Sequence, residues 1–240
     1  MIRIKLKGIT FYSGTFDQIY DKFENSTVLV APAASALADI DVKKKYHLSL
    51  KKADIAILDS GFFCILLKIL KRVNVQKFSG YLFLELFLTK AAKHNKILLI
   101  NPTKKSNYLN SRLLKKKGFK NILGYTAPLY KKNLVDLDLI KLVNNYKPRY
   151  VIINIGGGTQ EILAQYLKEN IKKRKINILC TGAAIAFMTG EQAPINKIVD
   201  KFYLGWLVRL LHNPREYFIR TILSFKLLKY FFKGCIKIYK

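Results

Sequence analysis

Short apolar runs recur along the chain at Thr27–Val30, Ile55–Leu58, Lys96–Ile100, Tyr150–Ile155 and Ile176–Leu179. Each has the length of a buried strand, and most are separated by stretches whose apolar positions repeat at helical spacing. This alternation predicts an α/β domain with a doubly wound, mostly parallel, Rossmann-like sheet over residues 1–200. The opening segment Met1–Lys7 alternates charged and apolar residues as a further strand does, with no apolar stretch of the kind a signal peptide carries. The most apolar segments, Ile55–Leu70 and Tyr81–Leu88, are interrupted by Asp59, Lys68 and Glu85 and fall short of the ~20 residues that a membrane-spanning helix needs.

In an open parallel sheet, ligands bind beyond the carboxyl ends of the strands. Polar or glycine-rich turns stand at those positions: Asp59 after the second run, Asn101 after the third, Gly156-Gly157-Gly158-Thr159-Gln160-Glu161 after the fourth and Thr181-Gly182 after the last. Any one of them is compatible with an ordinary tight turn; their coincidence on one edge predicts a site there.

From about Lys201 the pattern changes. Residues 201–240 hold nine Lys or Arg and one acid, Glu216. Lys226, Lys229, Lys233 and Lys237 follow one another at spacings of three and four, with Phe231 and Phe232 among the apolar residues between them. The spacing predicts a basic amphipathic helix and, with it, a second unit at 201–240 that attaches to an anionic membrane surface. A last helix packed on the core, with its lysines in solvent, is the other reading of the same pattern.

Charge sharpens the choice of partner. A net charge of +28 on 240 residues calls for an anion: nucleic acid, lipid headgroups or a phosphorylated substrate. The lysines alternate with bulky apolar residues, and no base-stacking or groove-reading module is recognisable, which favours lipid and phosphate over nucleic acid. Three scattered cysteines, Cys64, Cys180 and Cys235, make neither a zinc motif nor a disulfide framework and fit a reducing cytoplasm.

The segment Ile152–Glu161 resembles the strand, glycine turn and Gln-Glu pair of the WecG/TagA/CpsF glycosyltransferases. The likeness continues in order through Thr181–Phe187, Thr189-Gly190, Ala193-Pro194, Gly205–Arg215 with Trp206 and Arg209, and Arg220. In the first half, Ala53–Gly61 is similar to the family's strand ending in Asp-Gly. Lys77–Gly80 is similar to its Arg-x-x-Gly element, with Lys for Arg and Leu82 where an acid would stand.

The resemblance implies an inverting transfer of a hexose from a UDP-sugar to the 4-hydroxyl of N-acetylglucosamine on undecaprenyl diphosphate, at the inner face of the membrane and without a metal or other cofactor. It makes Asp59 the general base, for which a helix N-cap is the competing role. Arg209, Arg215 and Arg220, with the turn Gly156, Gly157 and Gly158, become the donor and diphosphate site. Gln160, Lys77, Asn101 and Thr181 become candidate sugar contacts. A homo-oligomer is compatible with all of this. Three departures stand out: Ala31-Pro32-Ala33 where the family has Thr-x-Asn, Asp59-Ser60 for Asp-Gly, and Asn101-Pro102 for a Gly-Gly turn. They leave open an altered sugar pocket or a non-catalytic relative acting as a scaffold or sugar-nucleotide binder.

Overall fold

The computed structural model describes residues 1–130, 134–171, 175–191 and 214–239, with the side chains of residues 215–217 not described. The chain opens with a hairpin of β1 (Ile2–Leu6) and β2 (Ile9–Ser13). Its two-residue turn puts Lys7 and Gly8 at φ 47° and 87°, which matches the right-handed twist of the strands it joins.

Alternating units follow: α1 (Phe16–Glu24), β3 (Val28–Val30), α2 (Ala34–Ala38), α3 (Lys44–Lys52), β4 (Ile55–Ile57), α4 (Gly61–Lys71) and α5 (Gly80–Lys90). After them come β5 (Ile97–Asn101), α6 (Lys104–Lys116), β6 (Ile122–Thr126), α7 (Leu137–Tyr146), β7 (Tyr150–Ile153), α8 (Thr159–Asn170), β8 (Asn177–Cys180) and α9 (Ala184–Thr189). Beyond the undescribed stretch are α10 (Pro214–Phe225), α11 (Leu228–Phe232) and β9 (Ile236–Tyr239).

The strands form one sheet in the order β6-β5-β7-β8-β3-β4-β2-β1-β9. Every pairing from β6 to β2 is parallel, and β1 and β9 add an antiparallel edge. Because side chains alternate across a strand, the runs feed two cores. Val28, Val30, Leu98, Ile100, Val151, Ile153, Ile178 and Cys180 face one side, with α3, α4, α7 and α8. Leu29, Ile97, Leu99, Ile152 and Leu179 face the other, with α1, α5, α6 and α9. The sheet is therefore covered on both sides, as the continuous apolar runs require. The expected doubly wound sheet is present.

The tail departs from expectation. Residues 226–239 do not form one amphipathic helix. A short helix is followed at Gly234, φ 64°, by a strand that pairs with β1 through Ile4↔Ile238 and Leu6↔Ile236. Phe231, expected at a membrane, is only 6% exposed and packs edge-on against Phe63, while Leu227 and Tyr230 are equally enclosed. The Tyr230 hydroxyl donates to Asp41 Oδ2 at 2.9 Å, and Lys229 pairs with the same carboxylate at 3.1 Å. Lys226 lies 3.9 Å from Asp39, and Lys237 sits on β9, not on a helix. Of the residues assigned to membrane contact, Lys226, Phe232, Lys233 and Lys237 are exposed, Phe232 at 78%. Helical spacing was a real signal for α11 alone; the glycine ends that helix, and the alternating Ile236 and Ile238 then suit the exposed edge of β1.

Candidate functional site

The strand ends converge as the turns predicted. Asp59 leaves β4 between two helix N-termini. Ser60 caps α4, its hydroxyl accepting from Phe63 N at 3.2 Å, and Ser79 caps α5 by accepting from Leu82 N at 3.1 Å. Asp59 Oδ1 accepts from Gly80 N, the first residue of α5, at 2.9 Å. Capping of α4 thus falls to Ser60, and one oxygen of Asp59 is oriented by the N-terminus of the neighbouring helix. Lys77, half-buried in the loop before α5, shares this corner. Burial pushes the Cys64 thiol up to about 12, with Lys77 pulling it down and Asp59 pushing it further up.

Gly80 is required here by space. A Cβ on it would lie 2.9 Å from the Thr181 carbonyl oxygen and 3.1 Å from Ala31 Cβ. The alanine at position 31, a departure in sequence, is therefore part of a close approach between α5 and the ends of β3 and β8. Gly80→Ala must push α5 outward, lengthening the bond to Asp59. We expect a stability loss of about 1–3 kcal/mol in denaturant unfolding, as for other overpacked contacts, together with slower turnover.

Two strands beyond β3, the β7–α8 turn carries the glycines. Gly156 and Gly157 are exposed, Gly158 has φ 94°, and a Cβ at any of the three would meet nothing within 4 Å among the described residues. The same holds for Gly182 after β8, φ 65°. Among the described residues, then, nothing stands over either turn, next to the N-terminus of a helix that favours negative charge. Between this turn and Asp59 lie three strand spacings, about 14 Å.

Gln160 and Asn101 occupy this rim without facing outward. Gln160 is 1% exposed; its Oε1 accepts from Gly182 N at 3.2 Å and its Nε2 donates to Glu161 Oε1 at 2.9 Å. Asn101 is fully buried; its carbonyl accepts from Asn110 at 2.7 Å and Asn154 at 3.0 Å, and its amide donates to Asn107 at 3.2 Å. Both hold strand ends in place in this structure, and neither presents the accessible side chain that a sugar contact needs. Thr181 is also enclosed, its hydroxyl without a hydrogen-bond partner among the described residues.

Residues 2–238 match the profile of the glycosyl transferase WecG/TagA/CpsF family. The chain belongs to that family. No curated protein matches it significantly. Membership of the WecG/TagA/CpsF glycosyltransferases makes the protein a glycosyltransferase of polysaccharide biosynthesis, acting on sugar donors and acceptors. The profile extends across β9, so the tail that completes the sheet belongs to the family region as well.

Among the arginines expected in this glycosyltransferase, Arg209 lies outside the described residues, as does Trp206; Arg215 is on α10 with its side chain not described. Arg220 is exposed on α10, which packs against α2, the helix that follows β3. Two residues escaped sequence reasoning. Glu161, 2% exposed, was visible only as half of a motif. Tyr46 on α3 gave no signal; it is buried, its hydroxyl has no partner among the described residues, and burial plus the charges of Glu161, Cys180 and Asp59 raise its pKa well above the usual tyrosine value. Among the described residues no group of three or more His, Cys, Asp or Glu is placed to hold a metal ion, and no helix is long and apolar enough to cross a membrane.

Proposed function

We propose that the protein transfers a hexose from a UDP-sugar, with inversion, to the 4-hydroxyl of N-acetylglucosamine carried on undecaprenyl diphosphate. The observation that carries this reading is Asp59, held by Gly80 N at a strand end on the same rim as the open glycine turn. The separation of about 14 Å suits a donor that lays its diphosphate over the turn and extends its sugar toward Asp59. In the displacement, Asp59 takes the acceptor hydroxyl proton as the new bond from that oxygen to the sugar's anomeric carbon forms. The bond from that carbon to the diphosphate oxygen breaks, and its electrons leave with UDP. Cationic side chains, with Arg209, Arg215 and Arg220 the candidates, balance the leaving charge, so no metal is called for. A panel of UDP-sugars with a diphospho-GlcNAc lipid acceptor, run with and without EDTA, tests this directly. Transfer from at least one donor, insensitive to EDTA, is expected. Binding of UDP-sugars without transfer to any acceptor would instead support the non-catalytic reading.

The acceptor in this reading sits in a bilayer, and one face of the protein fits that surface. Ile65 and Ile69 on α4 and Phe218, Ile219, Ile222 and Phe225 on α10 are all exposed, and the two helices meet where Phe62 packs against Phe225 with ring centroids 5.1 Å apart. Lys68, Lys71 and Arg72 on and just after α4, and Arg220 and Lys226 on and just after α10, add positive charge, and the one acid within these two helices is Glu216. Because α4 starts beside Asp59, a bilayer held against this face at the cytoplasmic side would bring the lipid diphosphate to the base. Vesicles rich in phosphatidylglycerol should retain the protein at low salt and release it at high salt, and Ile69→Glu with Phe218→Glu should abolish retention while leaving the thermal midpoint unchanged. Equal retention of the double variant would remove this face from the reading.

A further inference from the structure

We infer that Glu161 is a positioning residue: it latches the two donor-facing turns to one another through Gln160. The latch is a continuous run of hydrogen bonds. Gly158 N donates to Glu161 Oε2 at 2.7 Å, Gln160 Nε2 donates to Glu161 Oε1 at 2.9 Å, and Gly182 N donates to Gln160 Oε1 at 3.2 Å. One end is the β7–α8 turn and the other the β8–α9 turn, so two adjacent side chains on α8 fix the spacing between loops that belong to different strands. The Cys180 thiol adds a weak bond to the Gln160 carbonyl oxygen at 3.6 Å.

An ordinary packing role does not account for this carboxylate. It is enclosed on all sides, and no lysine or arginine pairs with it among the described residues. Burial pushes its pKa up, and only the bonds from Gln160, its own backbone N and Gly158 pull the other way. Taking a charge out of water with no counter-ion among the described residues is costly, and an apolar residue would fill the same volume without that cost. A capped helix needs less: a capping box would be satisfied by the bond to Gly158 alone. What the carboxylate adds is its second oxygen, which orients Gln160 toward Gly182.

The consequence follows from what the latch consumes. The Gly158 and Gly182 amides are turned inward, and at Gly156, Gly157 and Gly182 added Cβ atoms would meet nothing among the described residues. The latch thereby presets the separation of the two turns before a ligand arrives, which lowers the ordering cost of binding. Resting on the donor reading above, the diphosphate of a UDP-sugar is the group whose affinity this sets, while Asp59 stands about 14 Å from the β7–α8 turn and about 10 Å from the β8–α9 turn, outside the run of bonds.

Two variants separate the latch from general stability. Glu161→Gln keeps the shape but turns one acceptor into a donor facing an N–H; Gln160→Met keeps Glu161 on Gly158 and removes both bonds of the bridge, the one to Glu161 Oε1 and the one from Gly182 N. Hydrogen exchange should quicken in residues 181–184 in both, although the bonds of Glu161 itself go to Gly158 and Gln160. UDP should bind each about tenfold to a hundredfold more weakly, the worth of a hydrogen bond to a charged group. The donor KM should rise in step while the acceptor KM holds. The double variant should lose no more than the worse single one, since both break the same connection. Loosening confined to residues 156–160, or UDP affinity within twofold of the parent in either variant, would overturn the latch. If the parent fails to bind UDP while both turns still loosen together, the donor reading fails and the latch stands.

Discussion

Asp59→Asn is expected to lower kcat by about 10²- to 10⁴-fold, the usual contribution of a general base, with little change in donor KM. The substitution is chosen for what it preserves. Asparagine retains a carbonyl oxygen where Asp59 Oδ1 accepts from Gly80 N, so the start of α5, the Ser60 cap of α4 and the close approach of Gly80 to Thr181 all remain. The ability to take a proton is lost. If Asp59 acted mainly as an N-terminal acceptor for α5, the asparagine would serve nearly as well, and turnover would stay within a few-fold of the parent. Single-turnover transfer with saturating donor, alongside UDP binding by calorimetry, distinguishes these outcomes. Undiminished transfer would remove Asp59 from the chemistry.

The sheet was legible because its strands are buried on both faces and so read as unbroken apolar runs; β3, β4, β5, β7 and β8 fall within a residue or two of those runs. β6 escaped because it is an edge strand: Ile122–Thr126 is half-exposed throughout and carries Gly124 and polar residues. β9 escaped for a different reason. Lys226, Lys229 and Lys233 set up a helical period that Lys237 continues by coincidence, and the pairing with β1 is a contact across more than two hundred residues that no local pattern encodes.

In the site, the turns were legible because glycine and short polar residues at strand ends have few other uses. Which of their side chains face a ligand was not. Gln160 and Asn101 have the chemistry of sugar contacts, but burial and partners, set by α8, α6 and β8, turn them inward. Glu161 and Tyr46 matter through what encloses them, which one-dimensional spacing does not carry.

Phe231→Ala should cost about 3–5 kcal/mol of folding stability, the usual range for a large aromatic removed from a core. In its place the ring stands on Phe63, one turn into the helix that begins beside Asp59, and Leu227, Tyr230 and Ile236 enclose the same region. A tail whose aromatics served only the membrane would give another result: Phe231→Ala would leave the denaturant midpoint unchanged and weaken vesicle retention. Phe232→Ala is the matched control. That ring is 78% exposed one residue away, so its loss should leave stability within about 0.5 kcal/mol. The comparison also governs how the tail can be dissected. Removing residues 226–240 would strip the edge of β1, which pairs from Arg3↔Tyr239 to Leu6↔Ile236, and would open the core over α4. Loss of transfer after such a truncation therefore reports unfolding around Asp59 and carries no information on membrane attachment. Charge reversal at Lys233, exposed and outside both the core and the β1 pairing, separates the two: it should reduce retention on anionic vesicles while the unfolding curve stays with the parent.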